Sequence, residues 1–249
     1  NREEVMRNIF ADTGANFSLA RTPIGSCDFC LDGKYSYAAV PDDLRLAHFD
    51  LAVDHDGFNS SEHPGVRESS YDLIPMIRQA LSIKENQVES DLGIIASAWT
   101  APPWMKDIQD WYQPPSAENG HTGSGGLLKP GYESLYADYL LRYLDAYREQ
   151  GIRIWGITPV NEPLGNNGQW ESMHFTPESQ NDFVKRHLGP ALRAAGRGDV
   201  ALYVYDQNRD GLEEWTDVIF ADPRSAQPKP TQPGRRNPAP DRRCTSGSR

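Results

Sequence analysis

Apolar side chains at Val5, Met6, Ile9 and Phe10 share one helical face, so the spacing predicts a short helix over Arg2 to Phe10. Asn16 to Arg21 alternates apolar and polar positions instead, which predicts a strand running into Thr22-Pro23-Ile24-Gly25-Ser26. From Cys27 to about Glu68 the pattern dissolves into a polar stretch with three of the six histidines, and a loop of that length is functional or mobile. Helical periodicity returns over Tyr71 to Ile83 through Leu73, Ile74, Ile77, Ala80 and Leu81, with Pro75 tolerable only in the first turn. Leu92 to Ser97 is a continuous apolar run suited to a strand covered on both faces. Glu133 to Gln150 is the clearest helix, with Leu135, Tyr139, Leu140, Tyr143, Leu144 and Tyr147 on one stripe and Gly151 placed to end it. Ile152 to Thr158 follows as a strand, broken by Pro163 and a Gly/Asn cluster that reaches Gly168. Thr176-Pro177-Glu178 supplies a capping hydroxyl, a proline for the first helical position and an acid near the positive end; its helix runs through Phe183, Val184 and Leu188. Val200 to Tyr205 reads as a strand and Leu212 to Phe220 as a helix.

Helices and strands alternate, which implies a parallel sheet with right-handed crossovers. In such sheets ligands and catalytic side chains collect at the C-terminal ends of the strands. Those ends carry Asp28 shortly after the first strand, Trp99 after the second, Asn161 and Glu162 after the third, and Asp206 and Gln207 after the fourth.

Composition narrows the function classes. With 249 residues, 38% of them hydrophobic, the chain can build one barrel-sized domain or two small ones. Its net charge of −10 argues against nucleic acid and anionic membranes as partners. No apolar run approaches the roughly 20 residues that span a bilayer. The first residues lack the order of a signal peptide and do not start with Met, so the chain reads as cut from a longer one. Three cysteines cannot form a disulfide framework. Cys27-Asp28-Phe29-Cys30 has the spacing of a redox pair or half a zinc site, but no second Cys or His pair completes it, so these read as buried or loop thiols. Residues 1–227 form the expected folded unit. Lys229 to Arg249 holds six basic residues against Asp241 alone, four prolines and no large apolar side chain, so the tail over 228–249 is expected to be disordered. It reads as an artefact of truncation or a shifted frame rather than as a linker. Removing its +5 from −10 leaves −15 on the rest.

The strand-end residues suit carbohydrate. A Glu between Asn and Pro in a sheltered site can hold a raised pKa and act as a general acid, although a cap or surface acid is the plain alternative for Glu162. Asn161 can bond a sugar hydroxyl, and Trp99 or Trp104 can stack on a sugar ring. Glycoside hydrolysis needs two carboxylates, about 5–5.5 Å apart when configuration is retained. Other motifs carry less. Gly120 to Gly126 has phosphate-loop spacing without the Lys-Ser/Thr that should follow, so it reads as a substrate-side loop. The histidines are scattered, with none beside a Ser or Cys in a nucleophile context. Asn16-Phe-Ser and Asn59-Ser-Ser match the glycosylation pattern weakly.

Four segments, Arg21-Thr-Pro-Ile-Gly-Ser-Cys-Asp28-Phe, Ala96-Ser-Ala-Trp99-Thr-Ala-Pro-Pro-Trp104-Met-Lys, Trp155-Gly-Ile-Thr-Pro-Val-Asn161-Glu162-Pro and Tyr205-Asp-Gln-Asn-Arg-Asp-Gly, together resemble glycoside hydrolase family 30, the glucosylceramidase-type group. Phe175-Thr-Pro-Glu-Ser-Gln and Leu188-Gly-Pro fit as well, and the similarity covers about Arg2 to Gln227. The resemblance implies an α/β fold, a partial (β/α)8 TIM barrel of about strands two to five, and a retaining β-glycosidase needing no cofactor or metal. Glu162 would be the acid/base, Asn161 would hold the sugar 2-hydroxyl, Asp28 and Trp99 would bind the glycosyl unit, and Asp206 and Gln207 would line the cleft. The substrate would be a β-glucoside or glycolipid such as glucosylceramide, or a β-glucan including the β-1,6-linked kind, and a secreted or extracytoplasmic parent fits. The family's nucleophilic Glu, from a later strand, and its first strand with a Phe-Gly-Gly signature are both missing, so the fragment is expected to be inactive alone. Two competing expectations are a non-catalytic sugar-binding piece using Trp99, Trp104 and Asp28, and a misfolded product with open sheet edges.

Overall fold

A computed structural model describes residues 1–30, 33–54, 72–85, 87–88, 90–120, 123–165, 168–223 and 225. The expected tail over 228–249, with Cys244, lies outside the described residues, as do His55, His63, His121 and Asn59.

The elements run α1 (Arg2–Phe10), β1 (Leu19–Ile24), α2 (Leu73–Glu85), β2 (Gly93–Ala98), α3 (Glu133–Glu149), β3 (Gly156–Thr158), α4 (Pro177–Phe183), α5 (Gly189–Ala194), β4 (Ala201–Leu202) and α6 (Leu212–Phe220). The strands form one parallel sheet in the order β1-β2-β3-β4, with Leu19 opposite Gly93, Ile95 opposite Gly156 and Gly156 opposite Ala201. The sheet has the expected topology, but its first strand sits three residues later than the alternation suggests. Asn16 takes a positive φ of 52° and the Phe17 N–H bonds Ile9 O, so this segment closes onto α1 and pairing starts at Leu19. Pro23 is tolerated because β1 is an edge strand among the described residues. β3 is shorter than its apolar run, and at Gly156 any Cβ would lie 2.6 Å from the Tyr203 ring.

Local chemistry accounts for the helix ends. α3 stops in a Schellman turn: Gly151 takes φ +78° and the Ile152 N–H reaches back to Tyr147 O. α4 starts with a capping box in which Thr176 and Ser179 exchange side-chain and backbone bonds, behind Pro177. Gly189-Pro190 should break the helix that follows. Instead Val184–Leu188 widens into a π-turn, and the Gly189 N–H bonds Val184 O five residues back before α5 continues.

The tyrosine stripe of α3 (Tyr136, Tyr139, Tyr143 and Tyr147) is buried against Ile24, Ile94, Ala96, Ile157 and Val160. Part of the long polar stretch belongs to this core too. Tyr37, Ala38, Leu46 and Leu51 are buried in it, and Tyr37 stacks on Tyr143 at 5.7 Å. A carboxylate anchors the stretch: Asp54, 1% exposed, accepts from Tyr147 (2.6 Å), Tyr37 (2.7 Å) and Tyr35 (3.2 Å). Burial raises the Asp54 pKa, and the three phenols oppose that rise. The described part of this stretch is therefore packed structure rather than a loose loop.

Candidate active site at the strand ends

Strand register brings distant residues together at the C-terminal end of the sheet. Arg21 on β1 donates from Nη2 to Asn161 Oδ1 at 2.7 Å and to Asp206 Oδ2 at 2.6 Å, and from Nε to Ser97 Oγ at 3.0 Å. The hydroxyls of Ser97 and Thr158 lie 2.9 and 3.1 Å from the same Asp206 oxygen. The guanidinium carbon also sits 4.8 Å from the Trp99 ring, a cation–π contact, and Trp99 Nε1 donates to Asp28 Oδ1 at 3.0 Å. One guanidinium thus links the ends of all four strands. Its bond to Asn161 Oδ1 fixes the amide and leaves the NH2 as its donating end.

The backbone is strained at this point. Glu162 and Tyr205 both have positive φ, 48° and 52°, in a region that side chains other than Gly seldom occupy. Glu162 N–H donates to Asp206 O at 2.8 Å beside an Asn161–Asp206 bridge, so Asn161, Glu162 and Asp206 hold the β3 and β4 ends together. Tyr205 is held by Gln180, whose Oε1 accepts from its N–H at 2.9 Å, and by ring packing on Trp215 at 4.9 Å. The Glu162 carboxyl pKa is raised, first by burial and then by the negative charges of Asp28 and Asp206, with Arg21 opposing. Gln207 accepts from the Leu164 N–H at 3.5 Å, tying β4 to the loop after Glu162.

The geometry gathers Asp28, Trp99, Asn161, Glu162 and Asp206 around Arg21, with Gln207 at the margin. Sequence reasoning missed Arg21, Ser97 and Thr158 as site groups. The available signal was a charged or hydroxyl side chain inside each otherwise apolar strand. Trp104 does not fit the stacking role considered for it: its ring lies in the core and its Nε1 donates to Ala38 O at 2.8 Å. The Gly120–Gly126 stretch has a packing role in its described part, since a Cβ on Gly125 would meet Met173 N at 2.6 Å. Lys106, fully buried, spans the same loops by donating to the carbonyls of Trp111, Gly125 and Ser172 at 2.8–2.9 Å, and burial lowers its pKa to about 7. His187 meets Ser134 at 3.0 Å on exposed helix surfaces, away from the strand ends. Among the described residues no three His, Cys, Asp or Glu side chains are grouped to hold a metal ion, and no helix is long and apolar enough to cross a membrane.

Residues 1–229 match the glycosyl hydrolase family 30 TIM-barrel domain. The chain belongs to that family. Its relatives include the lysosomal acid glucosylceramidase of Mus musculus, 34% identical over 230 residues, which covers 90% of this chain and 39% of the relative. Another is the endo-1,6-beta-D-glucanase neg1 of Aspergillus fumigatus, 29% identical over 84% of this chain and 39% of its own length. Among solved structures, SrfJ of Salmonella typhimurium superposes with a TM-score of 0.72 at 27% identity, covering 89% of this chain and 42% of that one. An endo-beta1,6-glucanase superposes at 0.70 with 28% identity, covering 91% and 45%. The chain spans about two fifths of the length of the curated relatives it matches. The four parallel strands and their helices are thus part of a TIM-barrel domain, as the alternation and motifs suggest.

Proposed function

We propose that this chain carries the acid/base half of a retaining β-glycosidase site, with Glu162 protonating the leaving oxygen and then activating water. The observation that carries the reading is Glu162 at the end of β3, half-sheltered, with its pKa raised by burial and by Asp28 and Asp206. Asn161 offers its NH2 to a sugar hydroxyl, and the Asp28–Trp99 pair binds the glycosyl unit, with Gln207 lining the cleft. Asp28 and Asp206 are committed, one to Trp99 and the other to Arg21, Ser97 and Thr158. Neither is placed as the nucleophile, which we assign to a carboxylate outside these 249 residues.

The proposed substrate is a β-glucoside of the glucosylceramide kind, supported by the 34% identity to a glucosylceramidase. A β-1,6-glucan is the second reading, favoured by the superposition on an endo-beta1,6-glucanase at a TM-score of 0.70. The test is to expose the chain to an aryl β-glucoside and to an activated 2-fluoro-glucoside while following Glu162 by carbon NMR. No turnover, no adduct and a Glu162 titration above the ordinary carboxylate range are expected. A glycosyl adduct on any carboxylate of this chain would refute the external nucleophile, and an ordinary titration would refute the acid/base role. Tighter binding of gentiobiose than of a glucosyl lipid would favour the glucan.

A further inference from the structure

Cys27 and Cys30 are both free thiols, and their sulfurs lie 3.6 Å apart. The turn between them is tight: the Cys30 N–H donates to Cys27 O at 3.0 Å and the Cys27 N–H to Cys30 Sγ at 3.2 Å. Asp28 lies inside that turn, and its Oδ1 receives the Trp99 indole. Cys27 is buried, while Cys30 is partly exposed and opens the turn to solvent. The bond between the two sulfurs, in which either can donate, lowers the Cys27 pKa against the effect of burial and raises that of Cys30. One sulfur is thereby prepared to attack while the other keeps its proton. Because an S–S bond is about 2.0 Å long, closing the pair must bring the sulfurs in from 3.6 Å, within the turn that carries Asp28.

We propose that Cys27 and Cys30 are a reversible oxidation site, a dithiol–disulfide couple that reacts with peroxide and resets the Asp28–Trp99 contact. The Cys27 thiolate attacks one peroxide oxygen, the O–O bond breaks, and sulfur loses two electrons to become a sulfenic acid. The departing hydroxide takes up the proton that Cys27 released, giving water. The Cys30 sulfur then attacks the Cys27 sulfur, the S–S bond forms, and the displaced hydroxyl leaves with the Cys30 proton as a second water. A small thiol reverses the change by exchange. The couple does not depend on the reading of Glu162 or on any sugar.

The test uses the full chain with Cys244→Ser, so that only this pair can close, treated with one equivalent of hydrogen peroxide. The expected product is lighter by about 2 Da, the two thiol hydrogens. Its peptide spanning 27–30 resists alkylation until dithiothreitol is added. The Trp99 indole N–H resonance, assigned through Trp99→Phe, should shift on oxidation and return on reduction, and Cys30→Ser should abolish both changes. Thiols that still alkylate after peroxide, or that gain two oxygens instead of closing, would overturn the site. A disulfide that leaves the Trp99 resonance unmoved would overturn its link to Asp28.

Discussion

Asp206 and Asp54 each gather three donors, and the donors differ in kind. Asp206, with its side chain 26% exposed, faces the Arg21 guanidinium and the hydroxyls of Ser97 and Thr158. Asp54 is removed from water and faces three neutral phenols. Phenols satisfy lone pairs without cancelling charge, so burial prevails and the Asp54 pKa rises. That arrangement suits an anchor, since Tyr35 and Tyr37 close residues 35–54 on themselves and Tyr147 fastens them to α3. At the strand ends a shared guanidinium fastens Asn161 and Asp206 while Glu162 remains beside them, influenced by all three charged neighbours. Asp54 thus holds the long stretch to the core, and Asp206 holds the strand ends to one another.

The largest effect is expected from Asp54→Ala, which strips the acceptor from three phenols, two of them buried. It should cost about 3 kcal/mol or more in urea unfolding, because unpaired buried donors lose their full desolvation penalty. Glu162 should titrate as before; a loss below about 1 kcal/mol, or a displaced Glu162, would break the distinction. The pH dependence provides a second reading. A folded-state pKa above the unfolded one means the folded chain holds the proton longer. Asp54 therefore contributes stability that is fully present below its unfolded pKa and is lost as pH rises through the raised folded value. The Ala variant should lack that fall.

Arg21→Met should reverse the balance. Arg21 is 41% exposed, so the lost ion pair should cost only about 1 kcal/mol of stability. The site should change more. Arg21 is the neighbour that lowers the Glu162 pKa, so its removal should raise that pKa further, while Asp28→Asn should lower it. Carbon NMR titration of the three proteins reads both directions, and a Glu162 pKa that falls in Arg21→Met would break the assignment.

The two carboxylate clusters also differ in how far the sequence revealed them. Glu162 and Asn161 were legible because their signal is local: a β-branched run, then a break at Pro163, puts them at a strand end. The order of elements was legible for the same reason, as periodicities of 3.6 and 2 need only neighbours. Arg21 was not legible as the hub, because it meets Asp206 185 positions away, through the register of four strands. Asp54 was hidden more deeply. It sits in a polar stretch that reads as solvated, and its closest donor, Tyr147, comes from a helix 93 positions later. Short strands misled for a different reason: Asn16–Phe17 and Ile152–Trp155 have strand-like patterns, but Phe17 bonds back to Ile9 of α1 and Ile152 back to Tyr147 of α3, while Trp155 is the residue of the second stretch whose N–H and carbonyl bond Ile94 and Ala201.

The smallest effects lie within the Asp54 cluster, and they test whether its donors act as one unit. Tyr147 and Tyr37 hold Asp54 at 2.6 and 2.7 Å from fully buried positions, whereas Tyr35 reaches it at 3.2 Å from a partly buried one. Each phenol lowers the Asp54 pKa, in the order Tyr147, Tyr37, Tyr35. Removing one hydroxyl while keeping the ring should cost about 1 kcal/mol at Tyr147 and a few tenths at Tyr35. Each Tyr→Phe change should also raise the Asp54 pKa, so the loss of stability with rising pH should extend to higher pH, furthest for Tyr147→Phe and least for Tyr35→Phe. Urea unfolding across pH for the three variants gives both orders at once. If Tyr35→Phe matches Tyr147→Phe, the phenols act as a cooperative network rather than as separate donors, and the contrast with the guanidinium-centred strand ends would have to be redrawn.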